Sequence, residues 1–325
     1  MARIRYLEAL ARALHDEMAS DDRVVVLGED VRESLRRVTV NLLAEFGAER
    51  VIDTPLSEQA VTGFATGAAL AGFRPVVEFQ IPALLYVAFD QLVDQAQKLS
   101  IMTGGQASVP VTYIVPGSGA RVGLAGQHSD NPYALFAHMG MKTVLPATPS
   151  DAYGLLRSAI RDDDPVVVFA PAAALGIRED VPEEIAPVSI GSGRVHRAGR
   201  DVTLVATGHL VQLALSVADE LEAGGISAEV FDPRTIYPFD WQLLCESVNK
   251  TRRLVVVDDT SRTCGLGGEI IATVVEEVAL RALPKRVTRS DVAVPFSPVL
   301  EEAVLPARQE VVKALLAVME GDIGD

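Results

Sequence analysis

Residues 51–73, VIDTPLSEQAVTGFATGAALAGF, restrict the fold of this chain more than any other stretch. A β-branched pair, Val51-Ile52, runs into Asp53-Thr54-Pro55, and proline disfavours helix in the residue before it, so Thr54 closes a strand. A helix starts just after. Ser57 is placed to cap it, and Glu58 falls in the first turn, where the helix dipole favours a carboxylate. Glu58 therefore stands at the carboxyl end of a strand, where open α/β sheets bind their ligands. Gly63, Gly67 and Ala71 recur every four residues and leave one helix face almost bare. Each glycine costs a helix interior about 1 kcal/mol against alanine, so the spacing predicts a closely packed neighbour on that face.

The same alternation of short apolar runs and amphipathic stretches continues along the chain. Residues 4–18 read as an amphipathic helix, 24–27, 75–80, 109–115, 144–146 and 165–169 as strands, and 89–99 and 149–160 as helices. An acidic, proline-bearing run at 178–187 reads as a linker. A second series follows, with strands at 202–205, 228–231 and 254–257 and helices at 209–222, 241–248, 266–279 and 306–319. This βαβ periodicity predicts an α/β fold of two open parallel-sheet domains, 1–175 and 200–325, joined by a linker at 176–199. With 325 residues, 49% of them hydrophobic, the chain has material for two cores.

A formal net charge of -15 repels phosphate backbones and anionic membranes, which argues against nucleic-acid and membrane partners. No apolar run reaches the roughly 18 residues that span a bilayer, and Met1-Ala2-Arg3-Ile4-Arg5 leads into an amphipathic pattern, so the cytoplasm is the expected location. Cys245 and Cys264 lack metal-ligand spacing and are expected as buried thiols. The loop 116–123 lacks the ending of a P-loop, and Gly265-Leu266-Gly267-Gly268-Glu269 lacks dinucleotide-fingerprint spacing.

Glu58, four residues, Gly63-Phe64, two residues and Gly67-Ala68 resemble the Glu-x4-Gly-hydrophobic-x-x-Gly-hydrophobic signature of thiamine diphosphate enzymes. Gly28-Glu29-Asp30-Val31, Thr54-Pro55-Leu56-Ser57-Glu58, Gly72-Phe73-Arg74-Pro75-Val76-Val77-Glu78, Gln97-Lys98-Leu99, Gln127-His128-Ser129 and Ala159-Ile160-Arg161-Asp162 accompany it. They follow the order seen in beta subunits of the decarboxylating first component of 2-oxoacid dehydrogenase complexes. The resemblance spans nearly the whole chain. It implies a pyrimidine-binding domain followed by a transketolase carboxyl-terminal-like domain.

By that resemblance Glu58 hydrogen-bonds the aminopyrimidine of thiamine diphosphate, with Glu29, Gln80 and Leu84 beside the same cofactor. Read alone, Glu29 serves equally as an acidic cap on the next loop. His128 is implied to reach the reacting carbon, and an imidazole is suited to exchanging a proton with a developing alkoxide. Arg121, in a glycine-rich loop, either binds an anionic substrate group or is a solvated surface arginine. Val111, Ala159, Asp162 and Asp164 match a corner whose carbonyls hold potassium in several relatives; without that likeness, Asp162-Asp163-Asp164 read as a solvated turn.

Three stretches depart from those relatives: 32–39 replaces a glycine-rich loop, Leu84 replaces an aromatic residue, and 170–176 lacks charged and aromatic residues. The Gly-Asp-Gly motif and following asparagine that bind magnesium in the family are missing as well. The chain is therefore expected to carry half an active site, with Mg2+ and the diphosphate held by an alpha subunit in an α2β2 heterotetramer. The leading expectation is decarboxylation of a 2-oxo acid with acyl transfer to a lipoyl-bearing or carrier protein. Transfer of a two-carbon ketol unit from a ketose phosphate is the second, since Glu58-Gln59 is similar to a transketolase pair. A noncatalytic assembly subunit is the third.

Overall fold

The computed structural model describes residues 2–120 and 123–321; Arg121 lies outside them. Two compact units are present, one formed by Met1–Val122, Gln127–Ile190 and Ile236–Pro238, the other by Gly123–Gly126, Gly191–Thr235 and Phe239–Asp325.

The first unit is built on a seven-stranded sheet in the order Thr235–Tyr237, Lys142–Val144, Val166–Pro171, Thr112–Ser118, Arg74–Glu78, Val24–Gly28, Val51–Asp53. The pairings from Lys142–Val144 to Val51–Asp53 are all parallel. Val24–Gly28 is laid down first, Val51–Asp53 then pairs on one side of it and Arg74–Glu78 on the other. The strand order thus reverses at Val24–Gly28, and such a reversal opens a crevice at the carboxyl ends of the strands. Tyr6–Ser20 supplies one covering helix, whose Leu10 and Leu14 are wholly buried against the sheet and the Pro149–Arg161 helix. Burying each such leucine stabilises the fold by roughly 1.5–3 kcal/mol. Glu17, 2% exposed on the same helix, is kept there by Arg157 Nε at 2.5 Å and Arg161 Nε at 2.9 Å.

The second unit carries a five-stranded sheet in the order Lys285–Arg289, Leu254–Ser261, Val202–Ala206, Ala228–Asp232, Arg194–Arg197. It is parallel except for Arg194–Arg197, which pairs antiparallel with Ala228–Asp232. Among its helices, Trp241–Thr251 is capped by Asp240, whose side chain accepts from Leu243 N. No helix among the described residues is long and apolar enough to cross a membrane.

Several local expectations are corrected. The stretch 176–199 contains two short strands. Arg178–Val181 pairs antiparallel with Ala2–Arg5, setting Arg3 opposite Asp180, and Arg194–Arg197 forms the sheet edge just described. Their partners lie far away in the chain, so local composition carries no sign of them. Within 89–99, Gln91–Gln97 is a π-helix. A Cβ on Gly63 would lie 2.9 Å from Gln91 Oε1, whereas one on Gly67 would meet nothing within 4 Å. Only the first glycine is used within the chain. Ser57 occupies the cap position without a side-chain capping bond. Cys264 is exposed and Cys245 half-buried, because Cys264 sits in the left-handed turn before Leu266–Glu277. The Asp162-Asp163-Asp164 turn is an ion-pair cluster: Lys142 Nζ contacts Asp162 at 2.8 Å and Asp164 at 2.9 Å, and Arg74 contacts Asp163 at 2.6 Å.

The two strands that flank the reversal approach most closely at Gly28, which is in register with Glu78. A Cβ there would lie 2.6 Å from the Glu78 carbonyl oxygen. Gly28→Ala must force the strands apart, and overpacking of this kind costs about 1–3 kcal/mol. A lowered unfolding midpoint in chemical denaturation is expected; an unchanged midpoint would show that the contact is not tight.

Candidate active site

The reversal puts two strand ends side by side, and each carries an acid. Glu29 follows Val24–Gly28, and Glu78 ends Arg74–Glu78. Glu58 starts the helix that follows Val51–Asp53. All three line one cleft, together with Gln80, Thr54 and the apolar side chains of Val61 and Leu84. Three carboxyl groups on apolar walls make a site that favours a ligand with hydrogen-bond donors and a flat apolar body.

Glu78 lies deepest. Its side chain sits in a strand buried at every position after Arg74, it is 3% exposed, and its Oε2 has no hydrogen-bond partner. Burial pushes its pKa up from 4.5 to about 7, while the Gln80 hydrogen bond and the Arg36 charge pull it down. Burial likewise raises Glu29, helped by the charges of Asp30 and Glu58. Gln80, 6% exposed, ties the group together. Its Nε2 donates to the Glu29 carbonyl at 2.7 Å and to Glu78 Oε1 at 3.1 Å, and its Oε1 accepts from Arg36 Nε at 3.1 Å. The arginine accordingly fixes which way the amide faces. Glu58 is half-buried and makes no hydrogen bond among the described residues, leaving both carboxyl oxygens open to a ligand.

Four sequence-singled residues, Glu29, Glu58, Gln80 and Leu84, thus meet in one cleft. His128 is half-buried in a turn, and it is not among the residues lining that cleft. Val111, Ala159, Asp162 and Asp164 gather at a separate corner, where Val111 O accepts from Val166 N and Asp162 O from Arg74 Nη1. Glu78 and Arg36 are members of the cleft network that sequence reasoning did not single out. An acid inside the apolar run Val76-Val77-Glu78-Phe79 was a legible sign of the first. Arg36 had none, since a charged run at 32–37 reads as a solvated loop.

The chain matches the family model for the transketolase pyrimidine binding domain over residues 2–177, and that for the transketolase C-terminal domain over residues 191–311. It is 42% identical to the pyruvate dehydrogenase E1 component subunit beta of Rickettsia felis, over 95% of this chain and 96% of the relative. The chain belongs to the E1 beta family. Another relative, the acetoin:2,6-dichlorophenolindophenol oxidoreductase subunit beta of Bacillus subtilis, is 38% identical over 98% of both chains. A solved structure titled "Split gene transketolase, inactive beta4 tetramer" superposes with a TM-score of 0.81 at 25% identity, covering 98% of this chain and 99% of the other. The carboxyl-lined cleft falls wholly within the part of the E1 beta chain that matches the pyrimidine-binding model.

Because Glu78 holds its proton to about pH 7 when folded, against 4.5 for a free glutamate, the folded chain binds more protons than the unfolded chain between those values. Stability therefore falls as pH rises from about 4.5 through about 7, by on the order of 3 kcal/mol, and the loss is complete above that. Glu78→Gln removes the effect. Urea midpoints of wild type and variant should agree near pH 5 and separate at pH 8, with the variant more stable; parallel curves would contradict the assignment.

Proposed function

We propose that the chain is the beta half of a thiamine diphosphate-dependent first component of a 2-oxoacid dehydrogenase complex, and that the carboxyl-lined cleft takes the aminopyrimidine end of the cofactor. The observation that carries this reading is Glu58, half-buried and without a hydrogen bond among the described residues, in a cleft shared with Glu29 and the deeply buried Glu78. The cleft suits such a ring. Glu58 has free carboxyl oxygens through which a proton can be shared with a ring nitrogen, Glu78 has an unpartnered buried oxygen, and Val61 and Leu84 offer apolar faces.

Bound thiamine diphosphate supplies the carbon nucleophile and electron sink that decarboxylation of a 2-oxo acid requires. The protein's residues bind, orient and move protons. Glu58 would hold the ring nitrogen through a charge-assisted hydrogen bond, the proton lying between the two. Gln80, pinned by Arg36, keeps the Glu29 backbone and Glu78 in place around that ring. Leu84 packs on the ring without the roughly 0.5–1.5 kcal/mol that aromatic stacking geometry adds. His128 exchanges a proton with the substrate oxygen.

The diphosphate and its Mg2+ belong to an alpha subunit in an α2β2 assembly, because this sequence has no Gly-Asp-Gly motif with a following asparagine. A solved relative whose title calls its beta4 tetramer inactive supports the need for a partner. The open Gly67 face is the proposed contact with another subunit. The acyl acceptor is a lipoyl-bearing or carrier protein. Potassium, where bound, would take carbonyls at the Val111, Ala159, Asp162 and Asp164 corner in competition with cations already there, since Lys142 holds the Asp162 and Asp164 carboxylates and Arg74 Nη1 donates to Asp162 O.

Carbon dioxide release from a panel of 2-oxo acids tests the reading, using this chain reconstituted with its alpha-type partner, thiamine diphosphate and magnesium. Release by the wild type and at least a hundredfold loss in Glu58→Ala, with the heterotetramer intact by gel filtration, are expected. Undiminished turnover in the variant would overturn the role of Glu58; no release from any acid would overturn the decarboxylase reading.

A further inference from the structure

Arg36 stands out among the cations of the first unit. It is half-buried, and among the described residues it forms no ion pair and only its Nε is hydrogen-bonded, to Gln80 Oε1. Its two Nη groups have no partner among the described residues. Nη1 stands beside Gly117, where an added Cβ would be 3.6 Å from it, and Gly117 has φ +93, a conformation that suits glycine. The guanidinium therefore reaches from the cleft residue Gln80 to the start of the segment that leads to His128.

Neutralising Glu78 does not account for this placement. A guanidinium serving that end forms a bidentate pair with the carboxylate, yet Glu78 Oε2 is unpartnered and its Oε1 is served by Gln80 instead. Holding the Gln80 amide uses one N–H of five. The remaining fork has no hydrogen-bond partner among the described residues, and beyond its pull on Glu78 it stands half-buried in a protein of net charge -15. An anion from outside is the partner such a group is built to take.

That anion is not well chosen as the carboxylate lost in the reaction. A cation that stabilises a departing carboxylate favours the ground state over the neutral carbon dioxide being formed, which slows the step. An anionic group that the substrate keeps carries no such penalty.

Resting on the decarboxylase reading of the same cleft, we propose that Arg36 selects a 2-oxo acid bearing a second anionic group, a carboxylate or a phosphate, on its retained chain.

The test separates binding from turnover. Dissociation constants are measured by calorimetry on the cofactor-loaded complex carrying Glu58→Gln, for 2-oxoglutarate, 3-phosphooxy-2-oxopropanoate, pyruvate and 2-oxobutanoate. At least tenfold tighter binding of one or both of the first two is expected, and which of them binds tells carboxylate from phosphate. Adding Arg36→Met should weaken binding of the favoured acid at least tenfold more than it weakens binding of the neutral-chain acids, beyond any loss common to all four from the freed Gln80 amide; Arg36→Lys, which keeps the charge, should retain part of the preference. Equal binding of all four acids, or an equal loss for all four in both Arg36 variants, would overturn the proposal and leave Arg36 as a support for Gln80. Failure of carbon dioxide release in the Glu58-intact complex would instead count against the decarboxylase reading, whichever acids bind.

Discussion

The parallel pairing of Val24–Gly28 with Arg74–Glu78 is the constraint from which the site follows. The strands are adjacent in the sheet but separated in the chain by the excursion through Val51–Asp53 and the Glu58–Leu70 helix. Only a residue without a side chain fits at Gly28, against the Glu78 carbonyl. That close approach brings Glu29 and Glu78 to the same crevice, and the returning helix adds Glu58. One sheet reversal thus gathers three acids from three separate segments.

Three carboxyl groups in one partly dry cleft repel each other, and burial disfavours their charged forms. The cleft relieves this in two ways. Glu78 keeps its proton to about pH 7, and Gln80 donates to Glu78 Oε1 as well as to the Glu29 main-chain carbonyl, while Arg36 holds its oxygen. Several groups are nevertheless left with capacity to spare: the Glu58 oxygens, Glu78 Oε2 and the Arg36 Nη fork. Buried polar groups in folded proteins are nearly always satisfied, so Glu78 Oε2, buried and unpartnered in this cleft, marks a contact a ligand would complete. A ring between Glu58 and Glu78, and an anion at Arg36, would complete these groups.

Much of this was legible in residues 51–73, where proline, acid and spaced glycines fix a strand, a turn and a helix with Glu58 at its start. Short-range chemistry of that kind survives reading from sequence. What escaped depends on partners distant in the chain. Arg178–Val181 becomes a strand only because Ala2–Arg5 lies beside it, and the acids at 162–164 form ion pairs only because Lys142 and Arg74 converge on them. Arg36 was hidden for the same reason: its link to Gln80 spans 44 positions. The π-helix at Gln91–Gln97 departs from the expected α-helix and buries Leu92, Val93 and Ala96, whereas Leu99, also expected to face inward, is only half-buried in the helix that follows.

The central claim is that this cleft holds one half of a shared cofactor. Equilibrium binding of thiamine diphosphate, with magnesium present, measures it most directly when this chain, its alpha-type partner and their complex are titrated separately. Tight binding by the complex, at least a hundredfold weaker binding by either chain alone, and weakened binding in the Glu58→Ala complex are predicted. Binding by the partner alone as tight as by the complex, indifferent to Glu58, would contradict the account.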